Sequence, residues 1–315
     1  MQTRSVGSLD ASVVGLGCNN FGGRIDEAAT KKVVDATLEA GITLFDTADI
    51  YGGTLSEEYL GRALAGRRDR ALIATKFGGP IDDERKGGAS AAYIARACDD
   101  SLRRLGTDRI DLYQVHFPDQ ATPLEESLGA LDQLVRAGKV REIGCSNFSA
   151  EMIEESTRIS ADHGWARFVS VQNEYSLLRR GPEKQGVLEA CAKHDVAFIP
   201  YFPLASGVLS GKYKRGAAPP SGTRLAGMPA ARQEQALSET VMDRVELLEA
   251  WAQVHGHTLL ELAFAWLLAR PVVASVIAGA TKPEQAVANA AAADWQLDPG
   301  DLDEIDAVIA VAKGQ

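Results

Sequence analysis

The feature that most constrains this chain is a strict alternation between short apolar runs of strand character and longer segments of helical period. Runs rich in Val, Ile and Leu fall near 12–17, 42–46, 71–76, 110–116, 141–145, 168–172, 196–201 and 272–278. Between them, apolar residues recur at spacings of three and four near 27–40, 55–65, 90–105, 123–138, 149–162, 183–194, 257–269 and 283–292, the pattern of helices with one buried face. A strand followed by a helix, eight times over, buries its apolar runs as a parallel sheet closed on itself. The expected fold is therefore α/β, a (β/α)8 TIM barrel. Glycines directly after Ala40, Leu105 and Ala137 mark three helix ends, where the left-handed cap costs glycine least.

Three segments lie outside this rhythm. Periodic stretches near 239–254 and 301–312 read as two extra helices, and 207–236, with Pro219-Pro220 and several glycines, reads as a long loop after strand 7 that crosses one barrel face. His255 and His257 flank Gly256 and read as a helix junction. No repeat, low-complexity tract or shift in composition marks a boundary, so residues 1–315 are expected to form a single domain.

Composition narrows the function classes. The formal charge is −10 and no basic run of five or six residues occurs, which argues against nucleic acid as a partner. The first residues lack the apolar core of a secretory signal, and no stretch nears the roughly twenty apolar residues that span a bilayer. A cytoplasmic protein without a membrane partner is expected, either monomer or homo-oligomer. Cys18, Cys98, Cys145 and Cys191 form no CxxC pair, and the five histidines form no HExxH or Cys/His cluster. Reduced, buried thiols and no metal site are expected.

In a barrel of this type the loops after the C-terminal strand ends build the site. Asp46 closes Thr43-Leu44-Phe45, Tyr51 follows five residues later, Lys76 closes Ala71–Thr75, and His116 closes Ile110–Val115. Taken singly, each has an ordinary reading as a cap, a packing residue or a solvated charge. Together on three successive strands they form an acid, phenol, amine and imidazole that can protonate a carbonyl oxygen. Free tyrosine titrates near ~10, and a neighbouring ammonium, balanced by Asp46, is expected to lower that value. His116 would orient the carbonyl and Tyr51 deliver the proton. None of the four can supply hydride, so a nicotinamide must be bound.

Around these residues the chain resembles the aldo-keto reductase family over nearly its full length. The resemblance rests on Leu44-Phe45-Asp46-Thr47-Ala48-Asp49-Ile50-Tyr51-Gly52, Ile73-Ala74-Thr75-Lys76, Tyr113-Gln114-Val115-His116 and Gly144-Cys145-Ser146-Asn147-Phe148. It implies NADPH-dependent reduction of an aldehyde or ketone, or the reverse alcohol oxidation, with Tyr51 as general acid, Lys76 and Asp46 tuning it and His116 orienting the carbonyl. It further implies that Ser146, Asn147 and Gln172 hold the nicotinamide carboxamide and that Tyr201 stacks on its ring. The run from Tyr201 to Lys212, including Pro203, Leu204, Ala205, Gly207 and Leu209, resembles the loop folding over the pyrophosphate, with Phe202 where a serine is common. Ile277, Gly279, Ala280, Thr281, Lys282, Gln285 and Asn289 resemble the adenosine-phosphate segment. There Gly279, Gln285 and Ala288 depart from the family's best known lysine, arginine and glutamate, so NADP is expected with NAD also open.

Gly15-Leu16-Gly17-Cys18-Asn19-Asn20-Phe21-Gly22 begins like a dinucleotide-binding turn, but Asn20 stands where the third glycine belongs. Its glycines read instead as a close loop beside the site, with Asn19 and Phe21 as substrate contacts. Phe77 and Phe117 follow strand ends and would add apolar walls for a small carbonyl substrate. Arg179 and Arg180 are candidates to attract an anionic or polyhydroxylated one. Asn173-Glu174-Tyr175-Ser176-Leu177-Leu178 and the loop from Gly207 to Tyr213 resemble the bacterial and potassium-channel-beta-subunit-like branches. A cofactor-binding regulatory protein with slow turnover is the alternative, and an aldolase using Lys76 for a Schiff base is a second rival.

Overall fold

The computed structural model describes residues 1–311. An antiparallel hairpin comes first, β1 (Thr3–Val6) and β2 (Leu9–Ser12). Eight parallel strands follow: β3 (Val14–Gly17), β4 (Leu44–Asp46), β5 (Leu72–Phe77), β6 (Ile110–Val115), β7 (Val140–Ser146), β8 (Phe168–Gln172), β9 (Ala197–Phe198) and β10 (Val276–Gly279). They pair in the order β10-β3-β4-β5-β6-β7-β8-β9, and a parallel bridge from Phe198 to Val273 joins the two ends. The helices are α1 (Glu27–Glu39), α2 (Leu55–Ala63), α3 (Ala91–Leu105), α4 (Leu124–Arg136), α5 (Ala150–His163), α6 (Gly181–Lys184), α7 (Val187–His194), α8 (Ala230–Ala236), α9 (Glu239–Val254), α10 (Leu259–Leu268), α11 (Pro283–Ala291) and α12 (Pro299–Val311). The architecture is the expected (β/α)8 barrel, with α9 and α12 as the two additional long helices.

Local chemistry explains the boundaries. Asp26, Ser90 and Ser149 cap α1, α3 and α5 through side-chain oxygens that accept from exposed backbone N–H groups, and Thr258 and Glu261 form a reciprocal capping box on α10. Gly106 and Gly164 end α3 and α5 in the left-handed conformation. Among the described residues, no helix is long and apolar enough to cross a membrane.

Four features depart from the expectations. The hairpin was not foreseen: Val6, Leu9 and Ala11 are buried with Leu44, Ala74, Leu112, Val169 and Ile199, so it plugs the barrel interior. The run at 196–201 forms only the two-residue β9, because Pro200 has no N–H for a ladder. The helix expected over 183–194 is divided at Gly186, φ +71°. The loop over 207–236 contains α8. His255 and His257 do flank a left-handed Gly256, φ +79°, between α9 and α10.

Candidate active site

Parallel pairing brings the strand ends to one mouth. Gly17 lies beside Asp46, Asp46 beside Ala74, and Lys76 beside Gln114. The Lys76 ammonium donates to Asp46 Oδ2 at 2.7 Å and to the Thr47 carbonyl at 2.8 Å. Lys76 is 0 % exposed and Asp46 3 %. The ammonium stands 5.3 Å from the centre of the Tyr51 ring, and the His116 ring is 5.8 Å from that ring, edge to face. Phe117 stacks on His116 at 4.3 Å.

Tyr51 starts a tight turn in which Gly52, Gly53 and Thr54 are all left-handed. A Cβ on Gly52 would lie 2.3 Å from the Phe21 carbonyl oxygen. Glycine there lets the loop after β3 clamp the turn that carries the phenol.

Burial sets the proton affinities. It drives the His116 imidazole down to about 3, helped by the Lys76 charge, so the ring is neutral at physiological pH. Burial opposes the Lys76 ammonium, but the Asp46 and Tyr51 charges outweigh it and hold its pKa above the usual lysine value. For Tyr51 the outcome differs from the expectation: burial, reinforced by Asp46, outweighs Lys76 and raises the phenol above its ordinary value. The ammonium eases this rise without reversing it.

Asp46 has partners that the sequence did not suggest. Its Oδ1 accepts from Gln172 Nε2 at 3.0 Å and from Gln114 Nε2 at 3.4 Å. The signal for Gln114 was present, since it is a polar residue two positions after Leu112 on the same face of an apolar strand.

A cavity of about 710 Å³ extends from this cluster. Its walls include Ser146, Asn147, Gln172, Tyr201, Pro203, Leu204, Gly207, Lys212, Ile277, Gly279, Thr281, Lys282, Gln285 and Asn289, with Asn19 and Phe117. Asn147, left-handed at φ +63°, donates to the His116 carbonyl (3.0 Å) and accepts from the Tyr201 hydroxyl (2.8 Å). Ser146 Oγ donates to the Gln172 carbonyl at 2.8 Å. Ala205, Leu209 and Ala280 are not among the lining residues, the last two being fully buried.

Two expected substrate contacts sit elsewhere. Phe77 is fully buried and stacks on Tyr113 at 4.7 Å; with Lys76 turned toward the cluster, strand alternation puts the next side chain on the helix-facing side. Phe21 is also buried, and it approaches the site only through its carbonyl against Gly52. Arg180 is engaged by Glu183 and Asp306 and lies over Trp266, and Arg179 closes a turn with Ser176. Neither lines the cavity.

Conversely, Asn20, Arg24, Phe202 and Arg224 line it without having been singled out as ligands. Arg224 donates to Asn19 Oδ1 (3.1 Å) and Asn20 Oδ1 (3.3 Å) and lies 5.3 Å over the Phe202 ring. Arg24 donates to the Gly222 carbonyl at 2.7 Å. The long loop after β9 is thus fastened to the loop after β3. Only its length was a signal in the sequence.

These residues suit a nicotinamide dinucleotide. The flat Tyr201 ring and the Ser146, Asn147 and Gln172 amide and hydroxyl groups offer a platform and paired donors and acceptors. Farther along, burial and the nearby Arg24 charge lower the pKa of both Lys212 and Arg224. Arg24 and Lys212 are exposed and Arg224 half-buried, and cations crowded along one cavity wall call for an anion, as a pyrophosphate would provide.

A (β/α)8 barrel with this cluster at the mouth of a long, partly cationic cavity defines an NAD(P)H-dependent oxidoreductase. The profile of the Aldo/keto reductase family matches residues 13–310, and the chain belongs to that family. It is 32% identical to a probable voltage-gated potassium channel subunit beta of Arabidopsis thaliana, covering 98% of this chain and 97% of the relative. It is 33% identical to the aldo-keto reductase YhdN of Bacillus subtilis, covering 96% and 91%. The solved holo form of aldo-keto reductase AKR11C1 from Bacillus halodurans superposes with a TM-score of 0.81 at 32% identity, over 98% of this chain and 96% of that one.

Proposed function

We propose that the protein reduces a small aldehyde or ketone with NADPH, or oxidises the corresponding alcohol in reverse, with Tyr51 as general acid. The observation that carries this reading is the buried Asp46–Lys76 pair, 2.7 Å apart, beside the rings of Tyr51 and His116. When bound, the nicotinamide supplies hydride to the carbonyl carbon. The Tyr51 hydroxyl gives its proton to the carbonyl oxygen as negative charge builds there. Its raised pKa keeps that proton in place at neutral pH, and the Lys76 ammonium offsets part of the cost of the phenolate left behind. His116, neutral at the same pH, donates one ring N–H to the oxygen and fixes its direction. Asn19 and Phe117 line the substrate end.

Ser146, Asn147 and Gln172 hold the carboxamide, Tyr201 stacks on the ring, and Arg24, Lys212 and Arg224 take the pyrophosphate. Lys282 at the N-terminus of α11 favours the extra phosphate of NADPH over NADH. Four free, buried cysteines suit a reducing compartment, hence the cytoplasm. A core cluster from Val13 to Ile309 suits a single working domain. The intact cluster favours turnover over a purely regulatory role.

The test is NADPH and NADH consumption against a panel of aldehydes, ketones and keto-sugars, with Tyr51→Phe alongside. Turnover should fall by about three orders of magnitude in the variant, with NADPH affinity within about twofold. Wild-type activity in Tyr51→Phe would overturn the assignment.

A further inference from the structure

Behind the Tyr51 turn, on the helix side of the barrel, lies a buried acid that the mechanism above does not use. Asp49 is 0 % exposed, and neither carboxyl oxygen has a hydrogen-bond partner among the described residues. An ionised carboxylate without donors in a dry site is costly, whereas the neutral acid is tolerated. Its neighbour Glu57 is equally buried, but both Glu57 oxygens are engaged, one by Thr75 Oγ1 and one by Arg104 Nε, each at 2.6 Å. Glu57 therefore has its charge compensated and Asp49 does not.

The two acids are attached to the catalytic residues through the chain. The Asp49 N–H donates to the Lys76 carbonyl at 3.0 Å, and Tyr51 lies two residues farther on. Thr75, the partner of Glu57, directly precedes Lys76. Repulsion between Asp49 and Glu57 thus pushes on the segments that carry the phenol and the ammonium. The turn that would absorb the push is already left-handed at three successive residues and clamped at Gly52.

We propose that Asp49 is a positioning residue for the Tyr51–Lys76 pair and does this work only as the neutral acid, so that catalysis fails when it ionises. The proposal rests on the roles given above to Tyr51 and Lys76. The ionisable groups facing Asp49 are Glu57 of α2, Tyr93, Arg96, Asp100 and Arg104 of α3, Arg85 of the loop after β5, Lys76 of β5 and Tyr113 of β6. Burial and then Glu57 prevail over Arg104, the nearby Ile50 backbone N–H and Lys76 and raise the carboxyl to about 7. Arg85, Arg96 and Asp100 wall a gap too tight for water beside it, apart from the substrate cavity. Tyr51 and Lys76 titrate above their ordinary high values and His116 near 3. Asp49 is therefore the group at this site placed to control turnover at neutral pH.

The experiment is the pH profile of kcat/KM for carbonyl reduction from pH 5.5 to 9, for wild type and Asp49→Asn, with thermal midpoints recorded in parallel. Wild-type kcat/KM should fall about tenfold per pH unit above pH 7, the slope of one essential proton, and the asparagine variant should stay flat to pH 9. A variant that keeps the wild-type alkaline limb overturns the proposal. So does one that loses only the pH dependence of its thermal midpoint, which would make Asp49 merely structural. Should the variant fail to fold, infrared difference spectra of the wild type between pH 6 and 8.5 decide: one buried carboxyl band must disappear, and its persistence overturns the proposal. Tyr51→Phe tested beside these keeps the outcomes apart. Activity in that variant defeats the tyrosine assignment, while the infrared band reports on Asp49 regardless.

Discussion

Replacing Lys76 by methionine keeps an unbranched side chain one atom shorter and deletes its charge, which isolates what the buried pair contributes. Asp46 would retain two amide donors, Gln172 at 3.0 Å and Gln114 at 3.4 Å, and no cation. Removing one partner of a buried ion pair costs about 3–5 kcal/mol, because the remaining charge is uncompensated. With a urea slope of about 3 kcal/mol per M, the unfolding midpoint of Lys76→Met should fall by roughly 1–1.7 M at pH 7.5. The double variant Asp46→Asn/Lys76→Met carries no charge there and should recover most of the lost stability while remaining inactive. Urea unfolding followed by circular dichroism at pH 7.5 measures both. A single variant as stable as wild type, or a double variant less stable than the single, would refute the argument.

Two further outcomes follow from the geometry. Lys282→Ala should weaken NADPH about tenfold, the loss of one charge-assisted contact, and leave NADH within about twofold, measured by fluorescence titration; equal losses would remove Lys282 as the discriminating residue. Gly52→Ala must be left-handed and also push on the Phe21 carbonyl, whereas Gly53→Ala meets nothing within 4 Å. Both incur the left-handed penalty of about 1–2 kcal/mol, but only Gly52→Ala should cut kcat by tenfold or more, and equal kcat values in the two variants would show that the clamp does not position Tyr51.

The alternation of strand and helix was legible because periodicity is local: each apolar run carries its own evidence of pairing or coiling, and the glycines after Ala40, Leu105 and Ala137 lie where helices end. The approach of Asp46, Lys76 and His116 was legible for a related reason, since in a parallel barrel a residue at a strand end faces the same mouth as its neighbours. Local pattern did not give orientation one residue later. Phe77 looked like a pocket wall and turned outward because Lys76 faces inward.

What the sequence by itself determined is the barrel, the order of its elements and the identity of the groups at its mouth, because these follow from short-range periodicity and strand direction. What only the tertiary structure decided is everything that depends on burial and long-range approach. The hairpin plug, the Gln114 and Gln172 contacts to Asp46, the Arg224 strap and the crowding of Asp49 against Glu57 join residues from separate elements. The Tyr51 phenol makes the difference plain. Beside an ammonium it reads as acidified, yet burial and Asp46 raise it instead, because the cost of removing a charge from water depends on surroundings that no local stretch of sequence contains.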